Sequence, residues 1–153
     1  MRLLLKAALA LALLAGAANA EPADDWVTMK AGRAFTFEAP PDLRSVPVQG
    51  IDSFVGRYQG DRFALQFDYG LYSNSLQGLR EDPRYEAETV ELDGRQAVIL
   101  TGPADGGEGF CAAMYVVVRD SPKIALEMDG CANGYAGVIQ LQRLFRSVRL
   151  TER

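Results

Sequence analysis

Apolar residues recur at every second position through much of this chain, and that period predicts β-strands. Phe35-Thr36-Phe37 alternates and is cut off by Pro40-Pro41-Asp42. Residues 53–59 form a second strand, with Phe54 and Tyr58 among its larger side chains, and Gly60-Asp61 turns the chain into a third. There Phe63, Leu65 and Phe67 fall on one side, and Ala64, Gln66 and Asp68 on the other, so the pair reads as a hairpin with one buried face. From Gly70 to Arg84 the periodicity fades, and Tyr69 to Ser75 begin a long loop. Residues 88–92 and 95–101 make another hairpin, closed by Asp93-Gly94, a dipeptide suited to a type I′ turn because both positions tolerate positive φ. The glycine-rich run 102–109 reads as a mobile surface loop.

Residues 110–119 and 124–130 carry the strongest strand signals, joined across Asp120-Ser121-Pro122-Lys123. A hairpin centred on Ser121 sets Val118 against Ile124, Val116 against Leu126 and Met114 against Met128, six apolar side chains on one face. The same register sets Cys111 against Cys131 on the other face, together with Tyr115, Glu127 and Asp129. Apolar matching and cysteine matching choose one alignment, and a slip of one residue would turn an apolar set outward. The period then changes to that of a helix over about Gly134 to Phe145. Val138, Leu141, Leu144 and Phe145 lie on its inner stripe, Asn133 is a cap, and Arg146 and Arg149 are near its C-terminal end. Residues 147–150 read as a short final strand. The expected fold class is α+β: an antiparallel sheet of hairpins packed by a C-terminal helix.

The ends and totals refine this picture. Arg2 and Lys6 precede and enter an apolar stretch from Leu3 to Ala15, and Ala18-Asn19-Ala20 is an A-x-A cleavage site, so residues 1–20 read as a signal peptide. The stretch is short for a membrane span, which needs about 20 apolar residues. No stable membrane anchor is expected after cleavage, and residues 21–153 are expected to form one domain in a periplasmic or secreted setting. Cleavage removes two cations and no acid, so the −4 of the full chain becomes −6. An acidic domain with scattered arginines lacks the basic face of a nucleic-acid binder. In an oxidising compartment, Cys111 and Cys131 are expected to form a disulfide. The chain has no histidine. That removes Ser-His-Asp and Cys-His catalysis and most transition-metal sites.

The densest mixture of aromatic and polar residues lies in Gly50-Ile51-Asp52-Ser53 and in Phe67 to Asn74. Asp52, Tyr58, Asp68, Tyr69, Tyr72 and Asn74 are the candidate binding residues. Tyr58, Tyr69, Tyr72 and Tyr85 supply large apolar bodies with polar tips, which suits a shallow recognition surface; the same residues also suit packing at a sheet edge beneath the long loop. Asp52, Asp68 and the Asp105–Glu108 loop lack the spacing of a calcium loop. Residues 102–109 lack the lysine and the following helix of a phosphate cradle. No cofactor, no metal and no catalytic residue is expected.

The order of elements resembles the PsbP-like fold, an α/β/α sandwich around an antiparallel sheet. The resemblance is carried by Phe35-Thr36-Phe37-Glu38-Ala39-Pro40, by the meander of hairpins, and by the closing helix with Phe145-Arg146-Ser147-Val148. Gly50-Ile51-Asp52-Ser53 and Phe67-Asp68-Tyr69-Gly70 look like uncharacterised bacterial exported members of that type. The resemblance implies a non-catalytic binding or assembly-accessory role in an exported compartment; the partner expected for such a role is another exported protein, of no identity the sequence gives. A small carboxylate-dependent hydrolase and a structural envelope protein are the competing functions.

Overall fold

The computed structural model describes residues 25–151. The signal peptide read over residues 1–20 lies outside them. Among the described residues the strands form two antiparallel sheets. The smaller has the order β1 (Val27–Ala31), β2 (Phe35–Ala39), β10 (Arg149–Leu150). The larger has seven strands in the order β3 (Arg44–Val46), β4 (Phe54–Gln59), β5 (Phe63–Gly70), β9 (Lys123–Ala132), β8 (Phe110–Asp120), β7 (Arg95–Pro103), β6 (Glu86–Leu92). A short helix α1 (Gln77–Arg80) interrupts the long connection between β5 and β6, and α2 (Tyr135–Arg146) follows β9.

The α+β class and the packing helix are as expected, but the strand at Phe35 belongs to a second sheet. Its alternation explains this: Phe35, Phe37 and Ala39 are buried while Thr36 and Glu38 are half-buried, and β1 and β10 pair along its two edges. The small sheet and α2 together cover one face of the large sheet. Phe35 meets Phe67 edge-on at 5.0 Å, and Val138, Leu141, Leu144 and Phe145 are all fully buried beneath the helix. At the helix rim, Gln142 Nε2 donates to Thr101 Oγ1 at 2.7 Å and Arg146 pairs with Glu88. The helix begins one residue later than expected: Gly134, not Asn133, occupies the N-cap, with no side-chain capping bond.

The β8–β9 hairpin keeps the expected register from Cys111↔Cys131 through Met114↔Met128 and Val116↔Leu126 to Val117↔Ala125. Beyond it, Ile124 faces Arg119 and not Val118, because a bulge intervenes. The cause is the turn. Asp120 pairs with Lys123 across two residues, Ser121-Pro122, whose peptide bond is cis. A two-residue turn is one residue out of step with the apolar register, and the bulge absorbs the surplus while Val118 stays buried. The Asp93-Gly94 turn has positive φ at both residues, 49° and 77°, as its chemistry demands. Asp93 also accepts the Leu150 amide at 2.7 Å, which ties the hairpin tip to β10.

Two close approaches reveal why the chain carries glycine where it does. A Cβ on Gly56 would stand 2.1 Å from the ring of Phe67 on the neighbouring strand. Gly56→Ala should therefore overpack the core and destabilise the domain by about 1–3 kcal/mol, read as a lower urea midpoint with unchanged slope. Gly102 lies under the Tyr85 ring in the same manner, its Cβ position 2.7 Å away. Strand β7 runs on through Gly102 and Pro103, opposite Cys111 and Phe110 of β8, and the loop expected from residue 102 starts only at Ala104.

Candidate functional site

The other face of the large sheet is only partly covered. The connection from Leu71 to Tyr85 crosses it as a strap. Ser73 Oγ donates to Ala125 O at 3.1 Å, Leu76 is buried with Leu100, Ala113, Tyr115 and Ala125, and Tyr85 closes over Gly102. Tyr115 is 7% exposed, its ring lies under the Lys123 ammonium, and its hydroxyl has no hydrogen-bond partner. Tyr115→Phe should therefore stabilise the domain by about 1 kcal/mol in thermal or urea unfolding, since it removes an unsatisfied buried group.

Beside the strap, β4, β5 and β9 leave an open groove of about 240 Å³. Strand pairing builds it in rows. Val55, Asp68 and Glu127 stand side by side across the three strands, then Arg57, Gln66 and Asp129, and the next row of β5, β9 and β8 is Ala64, Cys131 and Cys111. The two cysteines form a disulfide on this face, between directly paired residues. A disulfide fits a non-cytosolic, oxidising compartment. No described helix is long and apolar enough to cross a membrane.

Alternation alone puts the three carboxylates together: Glu127 and Asp129 are two apart on β9, and Asp68 is the cross-strand partner of Glu127. Burial pushes Glu127 up to about 7, and the charges of Asp129 and Asp68 push in the same direction. Burial also raises Asp129, against the opposing effects of hydrogen bonds from Gln66 and Glu127 and the charge of Arg57. The hydrogen bond between the two acids raises Glu127 and lowers Asp129. Arg57 in turn donates to Gln66 Oε1 at 3.3 Å. Asp68 Oδ1 is buried with no hydrogen-bond partner. The groove thus gathers three carboxylates beside one guanidinium, Arg57, and leaves one carboxylate oxygen without a donor. Among the described residues, no group of three or more histidine, cysteine, aspartate or glutamate side chains is arranged to hold a metal ion.

The six expected binding residues do not form one surface. Tyr58 is 7% exposed in the core between Phe37 and Phe67, and burial raises its phenol. Tyr69 lies on that same inner face, against Phe35. Asp68 points the other way, into the groove. Asn74 shapes the strap, its Oδ1 accepting the Leu76 amide at 3.0 Å. Asp52 and Tyr72 are exposed, at the end of β4 and β5 where Ile51, Phe54 and Leu71 are exposed as well. Gly70 and Ser53 meet there, the Cβ position of one 3.0 Å from the hydroxyl of the other, so these apolar side chains flank the same end of the sheet as Asp68. Glu127 and Asp129, placed beside the cysteines by the register, are the site residues sequence reasoning passed over. The available signal was two acids with the parity of Asp68 inside an otherwise apolar strand.

No family model matches the chain, and no curated protein matches its sequence. Among solved structures it is similar to a variant of the protein Mog1, with a TM-score of 0.51 and 11% identity over 84% of this chain and 97% of that one. The likeness to Mog1 is one of fold. A protein from Bacteroides thetaiotaomicron is similar at a TM-score of 0.48 and 11% identity, over 76% of this chain and 44% of that one, so this chain spans less than half the length of that protein.

Proposed function

We propose that this is a non-catalytic binding or assembly-accessory domain of the periplasm or the secreted medium, and that its groove takes a cationic, partly apolar segment of another exported protein. The PsbP-like resemblance belongs to the same proposal. The observation that carries it is the cluster of Asp68, Glu127 and Asp129 over two adjacent rows of a partly uncovered sheet face, with one carboxylate oxygen left without a donor. A lysine or arginine side chain would supply that donor and neutralise the clustered carboxylates. Exposed Ile51, Leu71 and Tyr72 offer contact for flanking apolar residues. Export is supported by the signal peptide read at residues 1–20 and by the disulfide.

Calorimetric titration with a lysine–phenylalanine peptide tests this reading. Binding should strengthen between pH 6 and pH 8 as the proton leaves Glu127, and Glu127→Gln/Asp129→Asn should weaken it at least about tenfold. Equal affinity of variant and parent would remove the groove as the site. The hydrogen-bonded pair Glu127 and Asp129 also favours a second reading, a carboxylate-dependent hydrolase, since two carboxyls in contact with separated proton affinities run such chemistry. Turnover of a chromogenic glycoside or peptide ester that disappears in Glu127→Gln would establish that reading in place of the first.

A further inference from the structure

A second cavity, of about 340 Å³, lies away from the carboxylate groove, at the covered side of the molecule. Its walls include Asp25 and Trp26 before β1, Asp42 after β2, Asp61 and Arg62 in the β4–β5 turn, and Gln140 on α2. The site is preformed. Asp42 accepts the Asp61 amide at 2.7 Å, which stitches two loops together, and backbone bonds from Leu43 to Pro40 and from Gly60 to Phe63 close each loop. The Arg143 guanidinium lies 4.0 Å over the Trp26 ring and fixes its orientation. Gln140 Oε1 is buried with no hydrogen-bond partner.

We propose that this cavity is a saccharide-binding subsite. An indole and a proline wall suit the C–H face of a sugar ring, while the Asp42, Asp61 and Gln140 oxygens accept from hydroxyls and Arg62 donates to them. The wall carries three carboxylates, Asp25, Asp42 and Asp61, and one guanidinium, Arg62, so it presents both acceptors and a donor to a polyhydroxyl ligand. The volume falls in the small-ligand range of about 300–1,000 Å³ and suits the end of a glycan better than a polymer lying full length.

Trp26 is the single tryptophan of the chain, so its emission reports on this cavity alone. The full exported chain is titrated with a trimer of N-acetylglucosamine and with maltotriose, with spermidine as a cationic control. The expected result is a saturable change in emission with one trisaccharide, half-complete near about 1 mM or below, and none with spermidine. Gln140→Leu should weaken it about tenfold by removing one buried acceptor. Arg62→Met gives the same readout from an exposed loop position if the helix variant does not fold. Calorimetry on Trp26→Phe should show weakened binding. No saturable response to either sugar, a response to spermidine of equal size, or unaltered affinity in the variants would overturn the proposal. None of these outcomes bears on the carboxylate groove.

Discussion

Replacing Glu127 by glutamine should raise the melting temperature at pH 8 by about 4–8 °C and at pH 5 by only about a quarter as much. The carboxyl of Glu127 sits at about 7 in the folded protein, against about 4.3 in an unfolded chain. Below about pH 4 both states hold the proton and the group costs nothing. As pH rises toward 7 the unfolded state ionises first, so folding becomes steadily less favourable, and the loss is complete once the folded carboxyl has also ionised. Because solvent reaches part of the side chain, the loss at pH 8 is about 1–2 kcal/mol, less than the full shift implies. Glutamine keeps the shape and removes the charge. Calorimetric scans at the two pH values check this, and an equal effect at both would show that the gain has another cause.

Removing the disulfide should have the opposite sign and a larger size. Cys111 and Cys131 are separated by 20 residues, and closing such a loop stabilises by about 3 kcal/mol, chiefly through the unfolded chain. Cys131 is exposed and Cys111 half-buried, so Cys111→Ser/Cys131→Ser buries no new unsatisfied hydroxyl. The double variant should melt about 12 °C lower, and reduction of the parent should reproduce the effect. A change below about 1 kcal/mol would mean that the β8–β9 ladder alone already holds the unfolded loop's gain.

Much of the large sheet was legible because its strands have one clean face. The β8–β9 register followed from Met114, Val116, Leu126 and Met128 in agreement with the two cysteines, and the Asp93-Gly94 turn from backbone chemistry that few other pairs satisfy. Strands β1 and β3 carried no such pattern. Val27 to Ala31 is mostly exposed, with Met29 half-buried and Ala31 buried, and Arg44–Val46 is a three-residue edge, so tertiary pairing and not local alternation makes them strands. The bulge at Val118 was hidden because it arises from a mismatch between turn length and apolar register, each of which looks regular alone.

The site was less legible than the fold for a related reason. Tyrosines at Tyr58 and Tyr69 look like recognition residues in sequence, yet their parity with Leu65 and Phe67 assigns them to the core face. Asp68 has the opposite parity and reaches the groove. Its partners Glu127 and Asp129 come from a strand far along the chain, and only the order β5-β9-β8 makes them neighbours. A strand order of that kind is a property of the whole topology, which no local window contains.

The most direct measurement is an amide correlation spectrum of the ¹⁵N-labelled domain titrated with the lysine–phenylalanine peptide at pH 8. Recognition through the uncovered sheet face requires the shifts to centre on Asp68, Glu127, Asp129 and Gln66, with weaker changes at Ile51 and Tyr72, and to vanish in Glu127→Gln/Asp129→Asn. Shifts confined to the helix side of the sheet, or a spectrum that does not move at all, would contradict it.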